Sequence, residues 1–333
     1  MKTIAFFNNK GGVGKTSLVY HLSWMFADLG LNVVACDLDP QANLSAMFLD
    51  EDRLEQLWPD GSHRETILGC IDPILKGLGD INDPHVEEIA DNLGLIVGDL
   101  GLSRYEDKLS DAWPRCSDGD EAAFRATTAF HRIMLGAVES RGADLVLIDI
   151  GPNLGAINRA VLIAGQYVVV PLSPDLFSLQ GLKNLGPTFR EWRGQWSERL
   201  RKKPEGLPVP EGTMRPAGYV IHQYRIRLDR PTKAYEKWAS RIPPTYREFV
   251  LEEAPAILPP GSEDPYCLAL IRHYQSLMPM AMEARKPIFH LLPAEGAIGS
   301  HMEAVRSCRA DFRTFARRVA QACGLALPAS VGG

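Results

Sequence analysis

The residues best suited to chemistry form a glycine-rich run near the start of the sequence. Residues 10–17 read Lys-Gly-Gly-Val-Gly-Lys-Thr-Ser and directly follow a short apolar segment. Glycines let backbone N–H groups turn inward around phosphate oxygens, the terminal lysine neutralises phosphate charge, and the next hydroxyl binds Mg²⁺. The strand before this run and the helix after it argue against a turn that binds nothing. The residues predicted to bind a nucleoside triphosphate are Gly11, Gly12, Val13, Gly14, Lys15, Thr16 and Ser17.

The start of this run departs from the general pattern G-x-x-x-x-G-K-[ST]. When Gly14, Lys15 and Thr16 are aligned on the pattern, the first glycine position falls on Asn9, and Lys10 follows it as a second lysine of the loop. Two lysines on one small loop repel each other unless an anion lies near them. We therefore expect Lys15 to bind phosphates in its own subunit and Lys10 to point towards a nucleotide on a partner subunit. Such a charge, supplied in trans, would complete the site only in a dimer.

Three aspartates stand at the ends of apolar runs. Asp37 and Asp39 follow residues 32–36, and Asp149 lies near the end of residues 144–150. The carboxyl ends of parallel strands form the edge of a sheet where ligands bind. We therefore expect these carboxylates beside the glycine-rich loop, although Asp37 and Asp39 could instead cap a helix.

The pattern of apolar residues predicts an α/β fold. Continuous apolar runs without polar alternation are typical of strands covered on both faces, and the order strand, loop, helix, strand implies a parallel crossover. We expect a doubly wound, mostly parallel sheet of the P-loop NTPase type, forming one domain over residues 1–333. The predicted strands are residues 3–7, 32–36, 144–150, 167–172, 217–222 and 287–292, and the predicted helices include residues 15–29, 121–141, 154–164, 179–200 and 301–323.

Two segments are less regular and are predicted to be helical and loop insertions. They lie near residues 50–120 and 225–265, with residues 50–95 expected to form helices and loops. Near the carboxyl end, Met278, Met280 and Met282 are expected to fill the core, with a pliable protein interface as the alternative.

Composition limits the class of protein. The 333-residue chain has a net charge of −5 and is 45% hydrophobic, which permits a large core and argues against a surface that coats nucleic acid throughout. Its six cysteines form no C-x-x-C pair, as expected for reduced thiols in a cytosolic protein. Because no apolar run reaches about 18 residues, we expect a cytoplasmic protein without stable membrane association.

The motifs resemble those of the ParA family, within the ParA/MinD superfamily of deviant Walker A ATPases. The resemblance rests on KGGVGKTS (10–17), ACDLDPQANLS (35–45) and DLVLIDIGPNLGAINRAVLIAGQYVVVPLSPD (144–175). It is close over residues 2–48 and 144–186 and weaker over 217–224 and 275–320. One departure is Ile150-Gly151-Pro152, since the family commonly has Pro-Pro after the Walker B aspartate.

The resemblance implies an ATPase with ATP and Mg²⁺ as its cofactors. Lys10 would reach across a nucleotide-sandwich homodimer, Lys15 would contact phosphates and Asp39 would position the attacking water. Thr16, Asp37 and Asp149 would hold the Mg²⁺. A ParB-like or other adaptor would stimulate hydrolysis, and the role would be the partitioning or positioning of a DNA molecule or another large cargo.

Four arginines near the carboxyl end predict a surface for DNA phosphates. Arg306, Arg309, Arg313 and Arg317 recur every three or four residues, which places them on one face of a helix. Such a patch would bind DNA non-specifically and place the ATP-bound protein on the nucleoid, whereas the simpler interpretation is a solvated helix face. A second basic cluster comprises Arg225, Arg227, Arg230 and Lys233.

Two other functions remain open. A basic helix with phenylalanines is also typical of a MinD-like ATPase that lies on an anionic membrane. A regulatory module that holds ATP with little turnover is the third alternative, against which the presence of Lys10 and Asp39 argues.

Overall fold

The architecture is built on one eight-stranded sheet. The computed structural model describes residues 2–224, 226–227, 230–231, 237–254, 264–272, 274 and 276–328, without the side chains of residues 222–224, 226–227 and 230–231. The strands of the sheet are β1 (Lys2–Phe6), β2 (Val33–Asp37), β3 (Glu87–Ala90), β4 (Leu93–Ile96), β5 (Leu145–Asp149), β6 (Tyr167–Leu172), β7 (Arg215–Tyr224) and β10 (Cys267–Arg272). The strand order is β10-β7-β6-β1-β5-β2-β4-β3, and every neighbouring pair is parallel except β3 with β4. A separate two-stranded ribbon pairs β8 (Ile226–Arg227) with β9 (Arg230–Pro231).

Helices cover both faces of this sheet, which confirms the predicted doubly wound α/β fold. Successive residues of β1 enter different apolar clusters, with Ala5 in one and Ile4 and Phe6 in the other. The helices are α1 (Lys15–Asp28), α2 (Asn43–Phe48), α3 (Glu51–Leu57), α4 (Ile67–Lys76), α5 (Tyr105–Arg115), α6 (Glu121–Thr127), α7 (Ala129–Arg141), α8 (Ala156–Ala164), α9 (Leu176–Leu200), α10 (Ile242–Thr245), α11 (Leu277–Ala284) and α12 (Ser300–Cys323).

The central strands bring the predicted site residues to one edge. The registers of β1, β5 and β2 place Phe6, Asp149 and Asp37 side by side at the carboxyl ends of three adjacent strands. All five residues of β2 and of β5 are buried, as expected for strands covered on both faces. The phosphate loop and the turns after β2 and β5 therefore converge at this edge.

The predicted last strand at residues 287–292 is wrong. Ile288–His290 is a 3₁₀ turn, and the strand at that edge is β10, which pairs with β7. Pro287 cannot donate a ladder hydrogen bond, which disfavours a strand at that point. The short run Cys267–Arg272 follows directly after the irregular segment 225–265, and the sequence pattern predicted no strand there.

The expectation of helices and loops throughout residues 50–95 is also wrong in part. Strands β3 and β4 lie there, and β4 pairs with β2 in the main sheet. Gly94 interrupts the apolar run of β4, so the sequence did not predict this strand. A Cβ at this position would lie 2.5 Å from a methyl carbon of Val86. Close packing therefore selects glycine at this position. The predicted helix over residues 121–141 is divided at Thr128 into α6 and α7.

None of the helices that the structure describes combines the length and the hydrophobicity needed to cross a lipid bilayer. The second basic cluster lies outside the described residues: Arg225 and Lys233 have no described position, and Arg227 and Arg230 are described only as backbone.

Two glycines of α9 provide a matched test of its packing. A Cβ on Gly186 would lie 1.7 Å from the carbonyl oxygen of Phe249, so Gly186→Ala must push α9 away from the π-helical turn Tyr246–Leu251. We expect the free energy of unfolding in urea to fall by about 2 kcal/mol. For Gly194→Ala no described atom lies within 4 Å of the added Cβ, and we expect a gain of roughly 0.5–1 kcal/mol from helix propensity. Equal effects of the two substitutions would contradict this packing.

Candidate functional site

The phosphate loop joins β1 to α1 and leaves the first turn of α1 open. Gly12 and Gly14 have φ angles of 71° and 85°, a left-handed conformation that favours glycine. Gly14 is the N-cap residue of α1, and no side chain caps the helix. The amide groups of the first turn, together with the helix dipole, therefore face whatever lies above the loop and favour an anion there.

A cavity of about 560 Å³ opens above this loop. That volume lies within the range of small-molecule sites. The residues lining it come from the phosphate loop, the segment after β2, the turn after β5 and α11. They are Gly11, Gly12, Gly14, Lys15, Thr16, Ser17, Asp39, Gln41, Asn43, Ala46, Met47, Pro152, Met278 and Met282. Of the predicted nucleotide-binding residues, only Val13 is missing, because its side chain is fully buried.

Asp149 is the residue whose surroundings most clearly call for a cation. It is fully buried, and neither carboxylate oxygen has a hydrogen-bond partner among the residues that the structure describes. Burial raises the pKa of this carboxyl well above its usual range, the charge of Asp37 adds to the rise, and the neighbouring Thr16 and Lys15 oppose it. Two unpartnered carboxylate oxygens beside a hydroxyl suit Mg²⁺, which prefers oxygen ligands.

Lys15 is a cation whose charge acts on Asp149 and Asp39. Its side chain is buried, which lowers its pKa, while the charges of Asp149 and Asp39 oppose that change. The lysine therefore lies between the phosphate loop and the acidic edge of the sheet. The structure thus brings Lys15, Thr16, Asp39 and Asp149 close to one another.

Asp37 is buried beside Asp149 but is already hydrogen-bonded. Its Oδ2 accepts hydrogen bonds from the backbone N–H and the hydroxyl of Ser45, both at 2.8 Å. Burial raises the pKa of Asp37 to about 7, and Asp39 adds to the rise while the Ser45 bonds reduce it. Ser45 lies in the first turn of α2, so Asp37 accepts an N–H at the start of this helix. This contact agrees with the alternative prediction that Asp37 caps a helix.

Sequence reasoning missed two residues around Asp37. The hydroxyl of Ser45 accepts a hydrogen bond from the backbone N–H of Gly98 at 2.8 Å. A Cβ on Gly98 would lie 2.7 Å from Cγ of Asp37, so a side chain there would displace the carboxylate. Ser45 belongs to the motif that resembles the ParA segment, whereas nothing in the local sequence distinguished Gly98.

Asp39 faces the cavity from the turn after β2. Its Oδ1 accepts a hydrogen bond from the backbone N–H of Gln41 at 3.0 Å, and its Oδ2 has no hydrogen bond to the described part of the chain. The turn carries strain, since Ala42 has a φ of 50°. Asp39 is thus held by one oxygen while the other remains available.

Lys10 points away from the other site residues. Its ammonium pairs with Asp175, and Nζ lies 5.9 Å from the ring centroid of Phe177. Asp175 also caps α9 by accepting the N–H of Ser178 at 2.9 Å. Lys10 is not among the residues that line the cavity.

The methionine segment lies beside the cavity rather than wholly in the core. The expectation of core packing is wrong for Met282, whose side chain is 60% exposed, and Met278 and Met280 are only partly buried. Met278 and Met282 form the apolar wall opposite the phosphate loop.

The predicted basic face exists on α12. Arg306, Arg309, Arg313 and Arg317 are all exposed. Among the described residues, only Arg309 of the four approaches a carboxylate, with Nη2 3.9 Å from Asp28. The opposite side is buried and packs on the sheet through Val305, Phe312, Phe315 and Val319.

The pKa of Asp37 predicts how the nucleotide-free protein responds to pH. The folded-state pKa is about 7 and the usual value is 3.8, so the folded protein prefers Asp37 in its protonated form. The stabilisation by this proton is fully present below pH 3.8 and is lost as pH rises towards 7, because the unfolded chain releases the proton first. Asp37→Asn keeps an acceptor for Ser45 but removes the charge. Between about pH 5 and pH 8, we expect the variant to lose less unfolding free energy than the wild type, by up to a few kcal/mol.

The measurement is urea unfolding in EDTA at several pH values. Asp91→Asn, which changes an exposed carboxylate, is the control and should follow the wild type. Parallel pH curves for Asp37→Asn and the wild type would contradict the assignment of this titration to Asp37.

A family model described as an AAA domain matches residues 1–202 of the 333 residues. The protein IncC of Escherichia coli is 32% identical over 193 residues, which cover 58% of this chain and 47% of IncC. The chromosome partitioning protein ParA of Caulobacter vibrioides is 30% identical over 201 residues, which cover 60% of this chain and 66% of that protein. The chain thus spans from about half to about two thirds of the length of these relatives.

A solved structure extends the likeness across the fold. The complex of a Cyanothece McdA variant with ATP has a TM-score of 0.61 and 18% identity, and the match covers 99% of each chain. The matched sequence region contains the phosphate loop and Asp39, which line the cavity, and Asp37 and Asp149, which lie side by side at the carboxyl ends of β2 and β5. The chain therefore belongs to the ParA family of P-loop ATPases.

Proposed function

We propose that this protein is an ATP-dependent partitioning or positioning ATPase that cycles between an ATP-bound dimer on DNA and a released form. The observation that carries the proposal is the fully buried carboxylate of Asp149, unpartnered in the described chain beside Lys15 and Thr16 at the edge of a nucleotide-sized cavity. A magnesium nucleotide supplies the positive charge and the phosphate oxygens that this arrangement lacks. The ATP complex of the structurally similar McdA supports the choice of nucleotide.

Each residue of the site has a distinct role in binding. The loop amides and Lys15 hold the phosphates, and the hydroxyl of Thr16 and the carboxylate of Asp149 hold Mg²⁺. Asp37 supports the Mg²⁺ ligands from behind, because its oxygens already accept hydrogen bonds from Ser45 and from the backbone N–H of Asp39. The apolar wall of Met278 and Met282 is suited to the adenine base.

Asp39 is the residue suited to the hydrolytic step. With Oδ1 bound to Gln41, its Oδ2 is available to accept a hydrogen bond from a water molecule and to orient it towards the terminal phosphate. A Mg²⁺ ion held by Thr16 and Asp149 would supply positive charge next to the phosphate oxygens. Binding and turnover are therefore separable, since Asp39 is not needed to hold the phosphates.

Dimerisation would bring Lys10 into a second site. Within one chain it is paired with Asp175, and exposed apolar side chains at the same edge include Leu154, Leu176 and Phe177. A homodimer formed across this edge buries those side chains and gives the ammonium a partner nucleotide in place of Asp175. The charge supplied in trans makes turnover depend on dimerisation.

The exposed arginines of α12 provide the contact with cargo. Four guanidinium groups on one helix face, of which only Arg309 approaches a carboxylate in the described chain, suit the phosphates of DNA without reading its sequence. A ParB-like or other adaptor that stimulates hydrolysis would then release the protein. The site of action is the cytoplasm, on the nucleoid while ATP is bound.

Two substitutions separate nucleotide binding from turnover. Lys15→Ala should abolish ATP binding, because the phosphates lose their main counter-charge. Asp39→Ala should leave ATP affinity nearly unchanged and lower kcat by roughly 100-fold or more. Isothermal titration calorimetry with Mg·ATP and a phosphate-release assay measure the two quantities. Undiminished ATP affinity in the first variant, or normal turnover in the second, would exclude the assigned role.

Charge reversal on α12 tests the DNA surface. Arg309→Glu combined with Arg313→Glu should weaken ATP-dependent DNA binding by at least about tenfold and reduce its salt dependence, while ATP turnover without DNA stays unchanged. Arg64→Glu with Arg201→Glu makes the same change in net charge at exposed positions elsewhere and is the control.

The assay is co-sedimentation with plasmid DNA or with anionic liposomes, with ATP or ADP, at several salt concentrations. Unchanged DNA retention in the α12 variant would place the contact elsewhere. ATP-dependent retention by liposomes and not by DNA would refute the DNA assignment and favour a membrane-bound positioning ATPase.

A further inference from the structure

A carboxylate from outside the predicted site holds the start of α8. The Oε1 atom of Glu106, on α5, accepts the backbone N–H of Ala156 at 2.5 Å, and its Oε2 accepts that of Ile157 at 2.9 Å. The N-cap residue of α8 is Gly155, and no side chain of the helix itself caps it. Glu106 therefore satisfies two exposed amides and places a negative charge at the positive end of the helix dipole.

The turn between Asp149 and α8 is tied to that helix. The Nδ2 atom of Asn158 donates to the carbonyl oxygens of Gly151 at 2.8 Å and Asn153 at 2.6 Å. A Cβ on Gly155 would lie 2.5 Å from Oε1 of Glu106, so the approach of the carboxylate requires glycine there. The position of the turn thus follows the position of α8, which Glu106 holds.

The same turn forms one wall of the nucleotide site. The position that a Cβ would take on Gly151 is 3.2 Å from Oδ1 of Asp39, the oxygen that also accepts the N–H of Gln41. The next residue, Pro152, lines the cavity and approaches the phosphate loop, with Cγ 3.9 Å from the Cβ position of Gly11. A shift of this turn therefore moves the surface against which Asp39 is seated.

We propose that Glu106 is a positioning residue for hydrolysis: through α8 and the turn at residues 150–155 it holds Asp39 in place. The inference rests on the proposed role of Asp39 in turnover. It does not involve the phosphate contacts, which come from the loop at residues 10–17. Loss of the Glu106 carboxylate therefore lowers kcat and leaves ATP affinity nearly unchanged.

Three variants test this role by the separation of kcat from affinity. Glu106→Ala should lower kcat by about tenfold or more while the Kd for Mg·ATP changes by less than about threefold. Glu106→Gln should fall between Glu106→Ala and the wild type, because one amide oxygen can accept one of the two N–H groups without a charge. Asp120→Ala removes a comparable cap, the Oδ1 that accepts the N–H of Ala123 at the start of α6, and should keep the kcat of the wild type.

Thermal unfolding of all three variants identifies any loss of kcat that comes from general destabilisation. If Glu106→Ala and Asp120→Ala lower the melting temperature equally but only Glu106→Ala lowers kcat, the positioning role stands. A wild-type kcat in Glu106→Ala, or an equal loss of kcat in both, overturns it.

Hydrogen exchange measured by mass spectrometry gives an answer that does not depend on turnover. In Glu106→Ala, peptides covering residues 150–157 and 37–43 should both exchange faster than in the wild type, whereas Asp120→Ala should leave both unchanged. Faster exchange at residues 150–157 alone would mean that Glu106 is only a helix cap and would overturn the inference. If the wild type does not hydrolyse ATP at all, the proposed function fails, and the kcat of the variants carries no information. The hydrogen exchange of residues 37–43 would still decide the role of Glu106.

Discussion

The burial of negative charge at the carboxyl ends of the central strands is the constraint on which the rest of this structure depends. Asp37 and Asp149 are fully buried, opposite each other in the register of β2 and β5, and Asp39 is close enough to raise the pKa of both. Lys15 is the cation that acts on Asp149, and burial lowers its own pKa. Carboxylates without compensating charge are costly in such surroundings, so the site favours a bound cation together with its anionic ligand.

The surrounding elements keep that charge in one geometry. Ser45 and Gly98 hold Asp37 from the side of β4, and the clamped turn after β5 limits where Asp39 can lie. Two of these supports, Gly98 and Glu106, lie within the irregular stretch between residues 50 and 120. That stretch is therefore part of the site's support, and β4 within it is a strand of the main sheet.

Helix α1 connects the phosphate site with the basic face. Its first residues, Lys15 and Thr16, line the cavity, and Asp28 at its last turn contacts His290 and lies 3.9 Å from Arg309. Midway along the helix, the ring of His21 stacks on Phe312 of α12, with the ring centroids 4.9 Å apart. A single rigid element thus contacts both the nucleotide cavity and the helix that carries the arginines.

Local patterns in the sequence were sufficient for the parts of the molecule that local chemistry dictates. The glycine-rich loop, the buried strands around it and the aspartates at their ends could be predicted, because each depends on a few consecutive residues. The edge strand β10 and the strands β3 and β4 could not. Charged residues begin β3, Gly94 interrupts β4, and the short apolar run of β10 directly follows an irregular segment, so that only pairing with a neighbouring strand identifies them. The contacts of Gly98 with Asp37 and of Glu106 with α8 join residues about 50 or more positions apart, so no local pattern records them. Tertiary packing alone decides the role of each carboxylate. It leaves Asp149 without a hydrogen-bond partner in the described chain, whereas Asp37 binds Ser45 and Glu106 binds the start of α8.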